Sequence, residues 1–284
     1  MKKLIFIIFL LVSSLAHSEI TIIVPFSAGG TYDLLGRKLA IFMERELNEP
    51  VLVNNVLGAG GYIAVNKLDA SNGKTILLTG SAFYANILEN NLSVDKFSYV
   101  SVIAESPLFL GVTKASGITC EQLKNNDKQY FLGTSGIGSM SSKATSIVNS
   151  KYANIIEVPY KGSGQMTADI LSGQISGTFY NSIPERPEIV LIANTSPKSV
   201  FGIPSMSDCF NISKTLKTQY LLIANKQMTP EFLQTVNTLA IKFTKDPDTL
   251  EHFKSQGMHP KATTLKSTTV SIFNEYNTWK AEGR

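Results

Sequence analysis

Charge is scarce in this chain of 284 residues: Asp, Glu, Lys and Arg together make up 17% of it, against roughly a quarter of an average soluble domain. Scarce charge does not make it an integral membrane protein, because no internal apolar run approaches the ~20 residues that a spanning helix requires. The formal charge is only +4, and the lysines stand singly along the chain where a nucleic-acid binder would cluster them on one element. Nucleic acid is therefore set aside as a partner.

Histidine is scarcer still, with His17, His252 and His259 as the full set. His17 falls in an N-terminal segment expected to be removed, and the other two lie in a polar stretch far in sequence from every glycine-rich loop. A histidine-dependent catalytic triad is poorly supplied. Neither histidine has the spacing of a zinc motif, so both are expected at the surface, and neither a metal nor a cofactor is expected. Cysteine is limited to Cys120 and Cys209, with no C-x-x-C to support redox catalysis. The nucleotide signals fail on context: Gly73-Lys74-Thr75 ends like a phosphate-binding loop, but Leu68 stands where the first glycine belongs and a strand follows instead of a helix. Residues 133–138 lack the full G-x-G-x-x-G spacing.

What is present begins with an address. Lys2 and Lys3 precede an apolar run over residues 4–12, followed by Ser13, Ser14 and Ala16-His17-Ser18. This three-part pattern is that of a secretory signal, with cleavage expected after Ser18 and a mature, periplasmic chain starting at Glu19. No cysteine follows the cleavage point, so no lipid anchor is expected. Export leaves Cys120 and Cys209 where disulfides persist, so a single bridge is expected, with two inert buried thiols as the alternative.

Strand, glycine loop and amphipathic helix recur four times. Residues 20–26 form an apolar, β-branched run, then come Ser27-Ala28-Gly29-Gly30, then Leu34, Leu35, Leu39, Phe42, Met43 and Leu47 at helical spacing. The pattern returns at 75–79 entering Gly80-Ser81-Ala82, at 130–132 entering Gly133-Thr134-Ser135-Gly136-Ile137-Gly138-Ser139, and from Ile155 through Gly162-Ser163-Gly164. Alternation of this kind predicts α/β architecture with largely parallel sheets, and the length suggests two domains. The first and fourth units match in detail, Val24-Pro25-Phe26 with Asp33 against Val158-Pro159-Tyr160 with Asp169, as equivalent corners of two lobes would. All four loops then end at the carboxyl edges of strands, where open α/β sheets bind ligands. Each opens a helix and offers backbone N–H groups and a positive dipole end to an anion. Ser81, Thr134, Ser135 and Ser139 add hydroxyls, and Tyr160 and Lys161 a phenol and an ammonium. Asp33 and Arg37, four apart on one helix, predict an intrahelical ion pair.

At these loops the sequence resembles the extracytoplasmic solute-binding receptors of tripartite tricarboxylate transporters, also called the Bordetella uptake gene family. The resemblance covers essentially the whole mature chain. It rests on Pro25-Phe26-Ser27-Ala28-Gly29-Gly30 with Asp33 and Arg37, on Gly58-Ala59-Gly60-Gly61, on the loop from Gly133 to Ser139, and on Val158-Pro159-Tyr160-Lys161-Gly162 with Asp169 and Gly173-Gln174. It implies a two-lobed α/β fold of the periplasmic-binding-protein kind with a ligand cleft between lobes, one lobe at 19–103 plus 218–284 and the other at 104–217. That division puts both cysteines in the second lobe and makes an intralobe disulfide plausible. It also implies a non-enzymatic monomer that captures a small di- or tricarboxylate and hands it to the membrane permease subunits of a tripartite transporter.

The ligand contacts carried over from the family are Phe26, Ala28, Gly29, Gly30, Asp33, Ser81, Asn86, Ser135, Gly138, Ser139 and Tyr160, whereas Gly80 and Thr134 are expected to shape loops. This sequence departs from the family's pattern in four places. Val56-Leu57 replaces an Arg-Pro, Ser142 a frequent histidine, and Tyr180 an acidic residue that in amino-acid-binding members meets the ligand ammonium, which argues against an amino-acid ligand. Pro184 and Pro187 stand where relatives carry a helix. Two other functions compete: a receptor whose closed form docks on a membrane signalling protein, and a secreted hydrolase using Ser135 or Ser139.

Overall fold

The computed structural model describes residues 19–125, 127–136, 138–160 and 163–281. The proposed signal segment, Ile137, Lys161 and Gly162 lie outside these residues. In chain order the strands are β1 Ile20–Val24, β2 Val51–Asn55, β3 Thr75–Thr79, β4 Phe97–Pro107, β5 Phe109–Thr113, β6 Tyr130–Thr134, β7 Ile155–Pro159, β8 Gly177–Tyr180, β9 Ile189–Asn194, β10 Lys217–Asn225 and β11 His259–Pro260. The helices are α1 Thr31–Leu47, α2 Tyr62–Asp69, α3 Ala82–Glu89, α4 Cys120–Lys124, α5 Met140–Asn149, α6 Ser163–Leu171, α7 Met206–Phe210, α8 Pro230–Phe243, α9 Pro247–Ser255 and α10 Leu265–Ala281.

Two sheets organise these elements, one in the order β11-β4-β10-β3-β1-β2 and the other in the order β7-β6-β8-β5-β9. β1 runs parallel to β2 and β3, and β6 runs parallel to β7 and β8. All four glycine loops thus leave the carboxyl edges of parallel strands, two in each sheet. The sheets are not largely parallel, however. β10 is antiparallel to β3 and β4, and β5 is antiparallel to β8 and β9. The cause is the path between lobes: the chain leaves the first sheet on β4 and returns on β10. The two travel in opposite directions and pair from Lys217↔Pro107 to Asn225↔Phe97. Antiparallel neighbours need no crossover helix to join them.

Local signals place the helices. Asn48 closes α1 in the left-handed conformation and donates its N–H to Glu44 O, a C-terminal cap that satisfies an otherwise orphaned carbonyl. Thr229 and Asp246 cap α8 and α9, each with a proline in the first turn. Ile22, Ile23 and Val24 of β1 are fully buried because the strand is flanked by β2 and β3 and covered on both faces. One core cluster, with Leu35, Leu39, Tyr220, Phe243 and Phe253, fills one face of the first sheet. A second cluster runs from Ile23, Leu77 and Tyr84 through Val102 and Leu108 to Leu132, Ala144 and Phe179, so buried apolar packing is continuous through the crossing point.

Cys120 and Cys209 are disulfide-bonded, with Cα atoms 5.4 Å apart. The bond joins α4 to α7, whose first turns are held by reciprocal caps, Thr119 with Gln122 and Ser205 with Asp208. His252 departs from its expected surface position. It is half-buried beside Phe253, and burial together with the Lys38 charge pushes its imidazole below the ordinary histidine value. His259 is exposed on β11.

Candidate functional site

Asp33 organises the first glycine loop from beneath. It is 1% exposed, and its Oδ2 accepts from Gly29 N–H at 2.8 Å and from Arg37 Nε at 3.0 Å. Its Oδ1 accepts from Asn55 Nδ2 at 3.0 Å, and the same amide donates to Phe26 O at 2.9 Å. Burial pushes the Asp33 carboxyl up, but the donors from Arg37, Gly29 and Asn55 outweigh it and hold the group below the ordinary carboxylate range. The carboxylate therefore faces its own loop. Gly29, at φ +76°, adopts a turn that an L side chain resists. Gly29 and Ala28 are exposed, while Phe26 stacks on Tyr32 with ring centroids 4.4 Å apart. Beyond this loop, Gly30 begins α1 without any side-chain cap, which leaves first-turn N–H groups available to an anion.

The second loop is anchored to the crossing strands. A Cβ on Gly80 would collide with the Tyr32 hydroxyl, which hydrogen-bonds Thr218 Oγ1 at 3.1 Å. Ser81 is buried, and its Oγ accepts from Gln219 N–H at 3.1 Å. Like α1, α3 has no side-chain cap. Asn86 is buried as well, its Nδ2 donating to Gly60 O and Ala82 O at 2.9 Å each. These two candidates tie loops together.

In the other sheet, Ser139 caps α5 by accepting from Ser142 N–H at 3.2 Å, and it shares a hydrogen bond with Ser141 Oγ at 3.0 Å. Ser135 N–H donates to Ser141 Oγ at 3.1 Å. Thr134 Oγ1 donates to Glu157 Oε1 at 2.8 Å. Tyr160 donates its hydroxyl to Asp169 Oδ2 at 2.7 Å, and burial, reinforced by Asp169, pushes the phenol up to about 12. It stays a neutral donor at physiological pH.

The lobes meet at these loops. A Cβ on Gly138 would stand 3.0 Å from Ala85 Cβ and 3.2 Å from Glu89 Oε1, and a Cβ on Gly30 would stand 3.7 Å from Ser163 Oγ. Thr31 Oγ1 and Ser182 Oγ hydrogen-bond at 2.8 Å, and Tyr220 Oη donates to Asn181 O at 2.9 Å. Asn181 and Ser182 were missed in the sequence. An Asn-Ser pair directly after β8, at the same edge as the loops of β6 and β7, was the available signal. Among the described residues the buried Asn181 Oδ1 and Tyr180 Oη have no hydrogen-bond partner. Tyr180 lays its ring against Gly111, where a Cβ would stand 2.6 Å from its Cε2.

Among the described residues no group of three or more His, Cys, Asp and Glu could hold a metal ion, and no helix is long and apolar enough to cross a membrane. A cavity of about 620 Å³ opens beside the crossing strands, and Ser81 is the one carried-over contact that lines it.

The family described as "Tripartite tricarboxylate transporter family receptor" matches residues 35–282. Protein BugT of Bordetella pertussis is 24% identical, with 92% of this chain and 86% of that protein aligned. The solved structure of R. palustris Rpa4515 with adipate superposes with a TM-score of 0.81 at 22% identity, covering 93% of this chain and 95% of that one. MatC from Rhodopseudomonas palustris with bound malate gives 0.79 at 18% identity, covering 93% and 98%. The fold of this chain is theirs.

Proposed function

Because the chain belongs to the tripartite tricarboxylate transporter receptor family, we propose that it is a periplasmic solute-binding receptor that captures a small di- or tricarboxylate between its lobes and delivers it to a tripartite transporter. The observation that carries this reading is the uncapped start of α1 at Gly30, set opposite Ser163 and joined across the cleft by Thr31 and Ser182. A carboxylate there accepts from first-turn N–H groups of α1 and sits at the positive end of its dipole. A second carboxylate reaches the loops of the other lobe, where Ser135, Gly138 and Ser139 supply hydroxyl and backbone groups, and Tyr160, whose own hydroxyl is held by Asp169, shapes the wall beside them. Phe26, Ala28 and Gly29 shape the near wall, while Asp33, Ser81 and Asn86 hold the loops that present it. Adipate and malate, found with the two structural neighbours, belong to this ligand class.

No bond is made or broken in this function. Selectivity comes from donors on both lobes: a monocarboxylate leaves part of a desolvated polar site unpaired, at about 1–3 kcal/mol per group. Closure is a population shift driven by contacts that the ligand makes only when the lobes meet. The protein works as a monomer, exported by its N-terminal signal.

Thermal unfolding of the mature, refolded protein against di- and tricarboxylates, monocarboxylates and amino acids tests the reading. A ligand at a hundred times its dissociation constant adds about 2.7 kcal/mol, several degrees for a chain of this size. A shift confined to di- or tricarboxylates supports it; shifts with amino acids alone, or none at all, overturn it.

A further inference from the structure

Three tripeptides of the form Asn-X-Ser/Thr, with X other than proline, occur in the chain: Asn91-Leu92-Ser93, Asn194-Thr195-Ser196 and Asn211-Ile212-Ser213. In an exported protein this pattern is the acceptor for asparagine-linked sugar. Transferases of the bacterial periplasm read, in addition, an acidic side chain two residues before the asparagine. Glu89 stands there for Asn91, whereas Ile192 and Cys209 stand there for the other two.

The structure separates the three further. Asn194 is fully buried, and its amide nitrogen already donates to Ile203 O at 2.8 Å and to Pro204 O at 2.9 Å. Asn211 is exposed, but Cys209 is buried and held in the disulfide. Around Asn91, acid, asparagine and hydroxyl all reach solvent: Glu89, Asn90, Asn91 and Ser93 are exposed and Leu92 is half-buried. The segment follows the end of α3 and lies outside both sheets. Asn91 turns the chain at φ +52°. Its N–H donates to Leu88 O at 3.3 Å and that of Leu92 to Ile87 O at 2.8 Å, a helix stop of the Schellman type. With no strand pairing to break, an enzyme draws this stretch into its own groove by releasing these turn contacts.

We propose that Asn91 is a glycosylation site, modified by a periplasmic oligosaccharyltransferase that uses a polyprenyl-pyrophosphate-linked oligosaccharide. The Asn91 amide nitrogen bonds to the anomeric carbon of the first sugar as the bond from that carbon to the pyrophosphate oxygen breaks. Polyprenyl pyrophosphate leaves, and the amide gives up one proton. Glu89 offers its carboxylate to a cationic group of the enzyme, and Ser93 offers its hydroxyl, which together fix the register. The assignment requires export but not carboxylate capture, so it stands or falls apart from the cleft.

The test incubates the full mature chain, folded, with a purified bacterial oligosaccharyltransferase of acid-dependent specificity, its divalent metal and a lipid-linked oligosaccharide. An unrelated acceptor peptide reports that the enzyme is active. Intact mass should rise by one oligosaccharide, and peptide mapping should place it on Asn91. With circular dichroism unchanged, Asn91→Gln and Ser93→Ala should abolish the rise. Glu89→Gln should slow it about tenfold or more by removing a charge-assisted contact, and Asn211→Gln should leave it as it is. The proposal is overturned if the peptide is glycosylated and the folded chain is not, if the sugar is found on Asn194 or Asn211, or if Glu89→Gln reacts at the wild-type rate.

Discussion

Thr31, the first residue of α1, shares a 2.8 Å hydrogen bond with Ser182, the second residue after β8, so elements of the two sheets are joined by a pair of hydroxyls. A bond of this kind is worth about 0.5–1.5 kcal/mol. Ser182→Ala should therefore lower affinity for the stabilising carboxylate about 2- to 12-fold, mainly through faster dissociation. Calorimetric titration with stopped-flow release checks this, and an unchanged affinity would mean that the ligand-bound protein does not use the contact.

Asn181 holds a buried acceptor between the lobes, its backbone carbonyl fixed by Tyr220. A ligand hydroxyl would satisfy Oδ1, whereas a ligand without one leaves it unpaired at about 1–3 kcal/mol. Malate should then bind at least fivefold more tightly than succinate, and Asn181→Leu should remove the difference. Equal binding of the two acids by the wild-type protein would rule the contact out.

Asp33 has a carboxyl held below its ordinary value, so its contribution to stability is complete above the unfolded-state value near 4 and is lost as pH falls through the lower folded-state value. Asp33→Ala should cost about 2–3 kcal/mol at pH 7, since it removes charge-assisted hydrogen bonds from a buried site. The penalty should shrink toward pH 3. Urea unfolding at both pH values measures it, and a penalty that does not change with pH would exclude the ionised carboxylate as its source.

Gly80 has no room for a methyl group against Tyr32. Gly80→Ala should cost about 1–3 kcal/mol through overpacking and, by displacing the ring on which Phe26 stacks, weaken ligand binding. Tyr32→Phe in the same chain should restore part of both losses, because it removes the colliding hydroxyl. A double-mutant cycle with no coupling would place the strain elsewhere.

Periodicity made β1, α1 and the four glycine loops legible, and the four-residue spacing of Asp33 and Arg37 became an ion pair at 3.0 Å. Strand direction was less legible. Alternating strands and helices read as parallel, but β4 and β10 run antiparallel because they carry the chain between lobes, a fact of topology without a local pattern. The inward turn of Asp33 was hidden for a related reason: its partner Asn55 sits on β2, brought close by sheet order alone. His252 looked exposed in a polar stretch, yet α9 rests its Phe253 in the core and carries the neighbouring imidazole partway in.

The disulfide gives the molecule an unusual mechanical character. Cys120 and Cys209 are 89 positions apart and enclose β6 through β9, while Glu19 and Ala281, the outermost described residues, both belong to the lobe of the first sheet. A pull applied between those ends runs through β4, β5 and β10 and bypasses everything inside the covalent ring. At about 3.5 Å per extended residue, roughly 30 nm of chain is hidden from the force until the bond is reduced. Stretched in an oxidising medium, the first lobe and β5 would be drawn out while β6 through β9 stay inside the ring, and the difference in extension with and without reductant would be a direct ruler for it.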